Sequence, residues 1–490
     1  MPYGADVASD RPHPQRTLLV LTLPALAYSL AQTMLVPAFT DLGRELHTSA
    51  ENVTWLLTAY LVSAAVFTPL VGRLGDMVGK RKMLVVSVGA FAVGNVISAV
   101  GGSYALVLGG RVVQGIAGGM FPLVFGILRD EFPPERVGSA IGFVSSTLGI
   151  GGGVGLLLGG AMVDALGYPS IFWLGAAASA VSVVAILLLV PESEIRVPGR
   201  IDLRGAALLS VGLVAGLLGV SQGPAWGWGD PRVLGLLLGG PLVVVLWVWV
   251  QRHTVEPLVD VRTLAARPVL LTNVATLLVG FGMFGAYVLV PQFVEAPRST
   301  GYGFGGSATH AGLLMLPGSL CMFVFGPVSG TLGTRYGHRV SLVLGAVLSA
   351  FGLGMLAAFH GSDLSVLAWF MVVTLGIAFA FAAMPNLIVA AVPATQTGQA
   401  TGFNAVVRSV GSSVGTQVTA VVVASSIAAG ATLPRDSGYT TALALCAGVS
   451  LVAAVLALLV PDVRTPHVLA AEERGAASLL PDPALAADLA

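Results

Sequence analysis

Fourteen apolar stretches, each long enough to cross a bilayer, take up nearly the whole chain. They lie at 17–39, 52–71, 83–101, 104–128, 138–161, 168–190, 205–222, 232–251, 268–292, 308–330, 338–359, 363–388, 399–428 and 438–461. A helix needs about 20 mainly apolar residues to cover a hydrocarbon core roughly 30 Å thick, and in lipid the backbone must satisfy its own hydrogen bonds. Only 10% of the 490 residues are charged and 55% are hydrophobic, whereas soluble domains carry about 25% charged residues. An all-α integral membrane protein follows.

Other chemistry is excluded early. The formal net charge is zero, so no basic surface for nucleic acid is expected. Cys321 and Cys446 both fall in apolar runs and read as small buried hydrophobes. The histidines form no cluster at metal-ligand spacing, and no GxSxG, HExxH or Walker loop occurs. Neither a metal, a cofactor nor an enzyme activity is expected. The 63 glycines suit helices whose backbones approach closely.

Basic residues stay on the cytoplasmic side of membrane proteins. With the N-terminus inside, inner segments hold eighteen of the 24 Lys and Arg and outer loops hold four, Arg44, Arg232, Arg298 and Arg435. Both termini are therefore expected in the cytoplasm of a cell-membrane protein, with a disordered tail over 462–490.

An internal repeat overlies this layout. A shift of 258 superimposes Pro69, Gly72, Gly75 and Gly79 on Pro327, Gly330, Gly333 and Gly337. A shift of 260 superimposes Gly138, Gly142, Gly151 and Gly155 on Gly398, Gly402, Gly411 and Gly415. The period is eight spans while each matching part holds six. The expected organisation is a cytoplasmic segment 1–16, a six-helix bundle 17–190, an inserted hairpin with flanking loops 191–267, a second six-helix bundle 268–461 and the tail. Parallel repeats with a site near the midplane between them are one plan for carrying solutes.

Four motifs carry chemistry. In GRLGDMVGKRK, Gly72 and Gly79 permit a tight turn, Asp76 can accept from helix-end N–H groups or an arginine, and Arg81 with its basic neighbours holds the loop inside. Its echo GTLGTRYGHR has Thr334 where Asp76 stands, so an acidic latch is expected in the first half alone. In GRVVQGIAGG, Arg111 lies about seven residues, roughly 10 Å, below the outer end of its span. A charge there costs about 2.5–3.5 kcal/mol, so it should face a polar cavity or a partner, with Gln114 on the same face. Arg408 invites the same argument. In GGGVGLLLGG, Gly151, Gly155 and Gly159 share one helix face and form a packing seam.

These motifs resemble those of the major facilitator superfamily. Together with AWGWGDP (Ala225–Pro231), EPLVDVRTL (Glu256–Leu264) and RDEFPPERVGSAIG (Arg129–Gly142), they resemble its fourteen-span drug:proton antiporter subfamily over about residues 17–461. The resemblance implies export of a small amphipathic or lipophilic molecule by a monomer in the lipid bilayer, in exchange for protons. Two departures stand out. Leu156 replaces the proline of the antiporter pattern, which removes an expected kink, and YSLAQTMLVP (Tyr28–Pro37) carries no acid. The expected cavity residues are Tyr28, Gln32, Thr33, Arg111, Gln114, Asn273 and Arg408. With no acid deep in a span, Asp130 and Glu131 are the proton-coupling candidates, set against a reading of both as solvated loop charges. The alternatives are a facilitator or exporter of one dedicated metabolite or lipid without proton coupling, and a membrane sensor on the same scaffold.

Overall fold

The computed structural model of the chain describes residues 14–193, 195–196, 199–428 and 433–461. Every regular element among them is helical. The first part of the chain forms α1 (Pro14–Thr33), α2 (Phe39–Glu45), α3 (Ala50–Val78), α4 (Lys80–Val100), α5 (Tyr104–Gln114), α6 (Met120–Glu131), α7 (Pro134–Leu166) and α8 (Pro169–Leu189). A pair follows, α9 (Leu203–Trp226) and α10 (Pro231–His253), then the short α11 (Val261–Ala265). The last part forms α12 (Arg267–Glu295), α13 (Ala308–Tyr336), α14 (His338–Ala358), α15 (Asp363–Ala391), α16 (Thr397–Ser425) and α17 (Asp436–Leu458).

Among the described residues, twelve helices are long and apolar enough to cross a membrane, and thirteen if the bent α7 counts as one. The expectation of fourteen apolar spans is thus met by twelve or thirteen, and the remaining stretch is α1, a 20-residue helix with a polar first turn. Two spans are not straight helices. The fourth is interrupted by a 3-10 turn at Gly115–Gly119, where Gly115, Gly118 and Gly119 press against Ser63, Ala64, Thr68 and Val71 of α3. The fifth, α7, bends by 43° between Gly151 and Gly153 although no proline lies at the bend. Gly151 lies against Ser29 of α1 and Gly153 against Ser319 of α13, so neighbours on two sides pull on a glycine run that resists little. The tail over 462–490 and most of the N-terminal segment lie outside the described residues.

Apolar burial separates two packing units. One cluster draws on α12 to α17, around Phe370, Ile377 and Cys446. Two others draw mainly on α1 to α8, around Leu21, Val124, Leu56 and Phe172. Large apolar side chains also cover the outer surface, as where Leu238 and Leu242 of α10 are 72% and 69% exposed, which suits contact with lipid.

The repeat is visible in the contacts. In the first unit Gly151 and Gly155 of α7 lie against Ser29 and Thr33 of α1 and Gly159 against Met34 just beyond it; in the second, Gly411 and Gly415 of α16 lie against Leu277 and Phe281 of α12. Gly79 and Gly337 close equivalent turns with φ of 125° and 94°, a conformation that L side chains resist. Between the units, Gly72 of α3 meets Gly398 of α16, and Gly330 of α13 meets Gly138 of α7. Each pair exchanges into the other under the sequence repeat, as an axis relating parallel halves requires. The α9–α10 pair has no such counterpart. Its Trp247 stacks on Phe403 of α16 at 6.1 Å and its Ser221 hydroxyl lies 3.4 Å from that of Thr58 on α3, so the pair lies over the α3–α16 seam.

Candidate functional site

The α5 helix carries Arg111 into the first unit, where the side chain is 1% exposed. Its Nε donates to the Leu56 carbonyl at 3.1 Å and its Nη1 to Gln114 Oε1 at 2.6 Å. The guanidinium carbon stands 4.1 Å from the centre of the Tyr60 ring, a cation–π contact. Gln114 continues the network, donating to Ser98 Oγ at 3.3 Å and Asn95 Oδ1 at 3.4 Å. Arg111 Nη2 is buried without a hydrogen-bond partner among the described residues.

Tyr28 on α1 stands beside this network, its ring 5.7 Å from that of Tyr60 and 5.8 Å from that of Phe121. Gln32 neighbours its hydroxyl, and both Arg111 and Arg408 lie within charge range of it. Arg408 comes from α16 of the other unit, half-buried, with its guanidinium carbon 5.0 Å from the Phe381 ring centre. Tyr28, Gln32, Arg111, Gln114 and Arg408 are thus brought together. Thr33 and Asn273 are not. The Thr33 hydroxyl donates to the Gly151 carbonyl, tying α1 to α7, and Asn273 accepts from Asn404 Nδ2 at 2.8 Å, tying α12 to α16.

At the Gly79 end the two units are joined. Asp76 is 2% exposed, and its carboxylate accepts from Gly398 N at 3.2 Å and Gln399 N at 3.1 Å. These amides belong to the first turn of α16, where unpaired N–H groups and the helix dipole favour an anion. Contact this close needs both Gly72 and Gly398, since a Cβ on either would collide with the other's carbonyl. Arg129 adds bonds from Nη1 to Thr397 Oγ1 at 2.7 Å and from Nη2 to the Val392 carbonyl at 3.0 Å. On the second seam Thr334 faces Gly138, but its hydroxyl donates to Gly330 of its own helix. Asp76 thus bridges the first seam, and Thr334 does not bridge the second.

The remaining gate residues act within the first unit. Lys80 Nζ donates to Asp130 Oδ2 at 2.6 Å, with the two side chains 1% and 6% exposed, and the Ser193 hydroxyl donates to the same oxygen at 2.6 Å. Arg81 turns toward α8, donating to the Leu187 carbonyl, while its amide donates to Glu192 Oε1 at 3.2 Å. Glu131 is buried. Asp130 is therefore no solvated loop charge. Removing one member of a buried ion pair costs about 3–5 kcal/mol because the other is stranded. Lys80→Met is expected to lower the unfolding temperature of the purified protein by several degrees, and adding Asp130→Asn should recover most of the loss. An unchanged melting curve for Lys80→Met would contradict the pairing.

Sequence reasoning missed Tyr60, Asn95, Arg129 and Ser193. Arg129 stood in view inside RDEFPPERVGSAIG, and Asn95 as an amide within an apolar run was a signal of a polar partner. Tyr60 and Ser193 carried none, because their roles come from residues far away in the chain.

Two pseudo-symmetric helical units that each carry an arginine inside a span and meet through glycine seams define a membrane carrier. The chain belongs to the Major Facilitator Superfamily, whose profile matches residues 21–416. It is 31% identical over 422 residues to the tetracenomycin C resistance and export protein of Streptomyces glaucescens, covering 85% of this chain and 77% of that protein. It is 27% identical over 416 residues to the multidrug resistance protein Stp of Mycobacterium tuberculosis, covering 84% and 76%. Among solved structures, the fold matches the human organic anion transporter MFSD10 with a TM-score of 0.64 at 17% identity, over 91% of this chain and 100% of that one. It also matches the proton:xylose symporter XylE with a TM-score of 0.62 at 14% identity, over 92% and 97%.

Proposed function

We propose that the chain is a monomeric secondary transporter of the cytoplasmic membrane that exports small amphipathic or lipophilic compounds in exchange for protons, and that it is not an enzyme. Fourteen spans cross the bilayer, both termini face the cytoplasm, and the Gly79 end is the cytoplasmic end. One observation carries this reading. The two units are held at the Gly79 end by the Gly398 and Gln399 amides donating to Asp76 and by Arg129 donating to Thr397 and the Val392 carbonyl, contacts that can release and re-form as the units rock. The names of the two relatives, both resistance proteins, support the export direction and the substrate class. Asp130 and Glu131 are the candidates to carry the proton, and both lie near the closed end. Tyr28, Gln32, Arg111, Gln114 and Arg408 line the cavity.

A second reading, a facilitator or exporter without proton coupling, is favoured by one feature. Neither Arg111 nor Arg408 has a carboxylate within charge range among the described residues. Inverted membrane vesicles separate the two. Dye should accumulate above the level of vesicles lacking the protein when the interior is acid, and a protonophore should abolish the accumulation. Uptake that ignores the gradient would establish the uncoupled reading, and no uptake of any dye would end the export reading.

A further inference from the structure

We infer that Arg111 and Arg408 form the two sides of a binding site for a small aromatic anion, so that the transported substrate carries a carboxylate, phenolate or similar negative group. The inference rests on the transport reading above. Two guanidiniums from opposite units converge on one phenol, that of Tyr28, and no acidic side chain balances either among the described residues. A cation in a membrane interior forfeits hydration, so two guanidiniums with no acidic partner are a standing demand for negative charge. Arg111 satisfies part of its fork with neutral acceptors, the Leu56 carbonyl and Gln114. Its Nη2 remains buried and unbonded among the described residues. Arg408 is half-buried and its Nη groups make no hydrogen bond with the described residues, which leaves it the accessible side of the pair.

The surroundings fit an aromatic anion. Phe121, packed on Tyr28, and Phe381, packed on Arg408, put buried aromatic surface beside the two arginines, and an arginine fork matches a carboxylate with two parallel bonds. A cation entering the same space would meet two positive charges and no negative one. Because the two arginines belong to different units, an anion between them would also draw the units together. Binding and rocking would then be coupled through one charge.

Fluorescein and rhodamine 6G share a xanthene ring and differ in sign, anionic against cationic at pH 8. Their binding to purified protein is read by fluorescence anisotropy. Wild type should bind fluorescein more tightly than rhodamine 6G. Arg408→Gln should weaken fluorescein about tenfold or more, while leaving rhodamine 6G unchanged or improved, and Arg408→Lys should keep most of the fluorescein affinity. The wild-type preference needs no variant to fold. Tighter binding of rhodamine 6G, equal loss of both dyes in Arg408→Gln, or no fluorescein binding would overturn the inference. Vesicle uptake of rhodamine 6G without fluorescein binding would leave export standing and remove the anion site; fluorescein binding without uptake of any dye would do the reverse.

Discussion

Asp76→Ala is expected to slow transport at least tenfold while substrate still binds. The carboxylate makes two charge-assisted bonds to the start of α16, at 3.2 and 3.1 Å. Bonds to charged groups are worth roughly 1.5–3 kcal/mol each, and an anion at a helix N-terminus gains a further 0.3–1 kcal/mol or more. Every 1.4 kcal/mol is tenfold in an equilibrium. Losing the carboxylate therefore moves most molecules out of the state closed at the Gly79 end, and a carrier held in one state cannot cycle. Asp76→Asn keeps an acceptor oxygen and loses the charge, so its defect should be smaller than that of the alanine. Turnover in proteoliposomes and dye binding in detergent read the two quantities separately. Full turnover by Asp76→Ala would show that the cap plays no part in the cycle.

Arg111→Ala should reduce transport on the order of a hundredfold per molecule in the membrane. Removing one partner of a buried, bonded charge costs roughly 2–5 kcal/mol, and here the change also leaves Gln114 without the donor that orients it. Arg111→Lys is not expected to rescue. An ammonium cannot hold both the Leu56 carbonyl and Gln114 while lying flat over the Tyr60 ring. Transport must be normalised to the amount of protein reaching the membrane, and the unfolding temperature recorded alongside. A normal transport rate with a lowered unfolding temperature would leave Arg111 a purely structural role.

The helices and their order were legible because each apolar run is long enough to allow one reading. The pairing of Gly72 with Gly398 was not, although both glycines were matched to partners in the repeat. Sequence symmetry says which residues are equivalent, and equivalence is a different relation from contact. Asp76 was recognised as an acceptor for a helix end, but the end it caps lies more than three hundred residues away. The bend in α7 was misjudged by looking for proline alone, when a glycine run with Gly151 against Ser29 and Gly153 against Ser319 suffices. Thr33 and Asn273 were assigned to the cavity because a polar side chain in a span suggests a solute. Each instead bonds to a neighbouring helix, which is the commoner fate of a small polar group in lipid.

The central claim is that the two units rock, with the Gly79 end closed here by Asp76 and opened in another state. Val78, 46% exposed at the end of α3, and Thr395, exposed just before α16, stand on opposite units at that end. Spin labels on cysteines at these positions, with Cys321 and Cys446 replaced by alanine, report the separation directly by pulsed electron resonance. Two distance populations should appear, the shorter matching this structure, and Asp76→Ala should shift weight to the longer. A single short distance that neither Asp76→Ala nor substrate alters would contradict the rocking of the units.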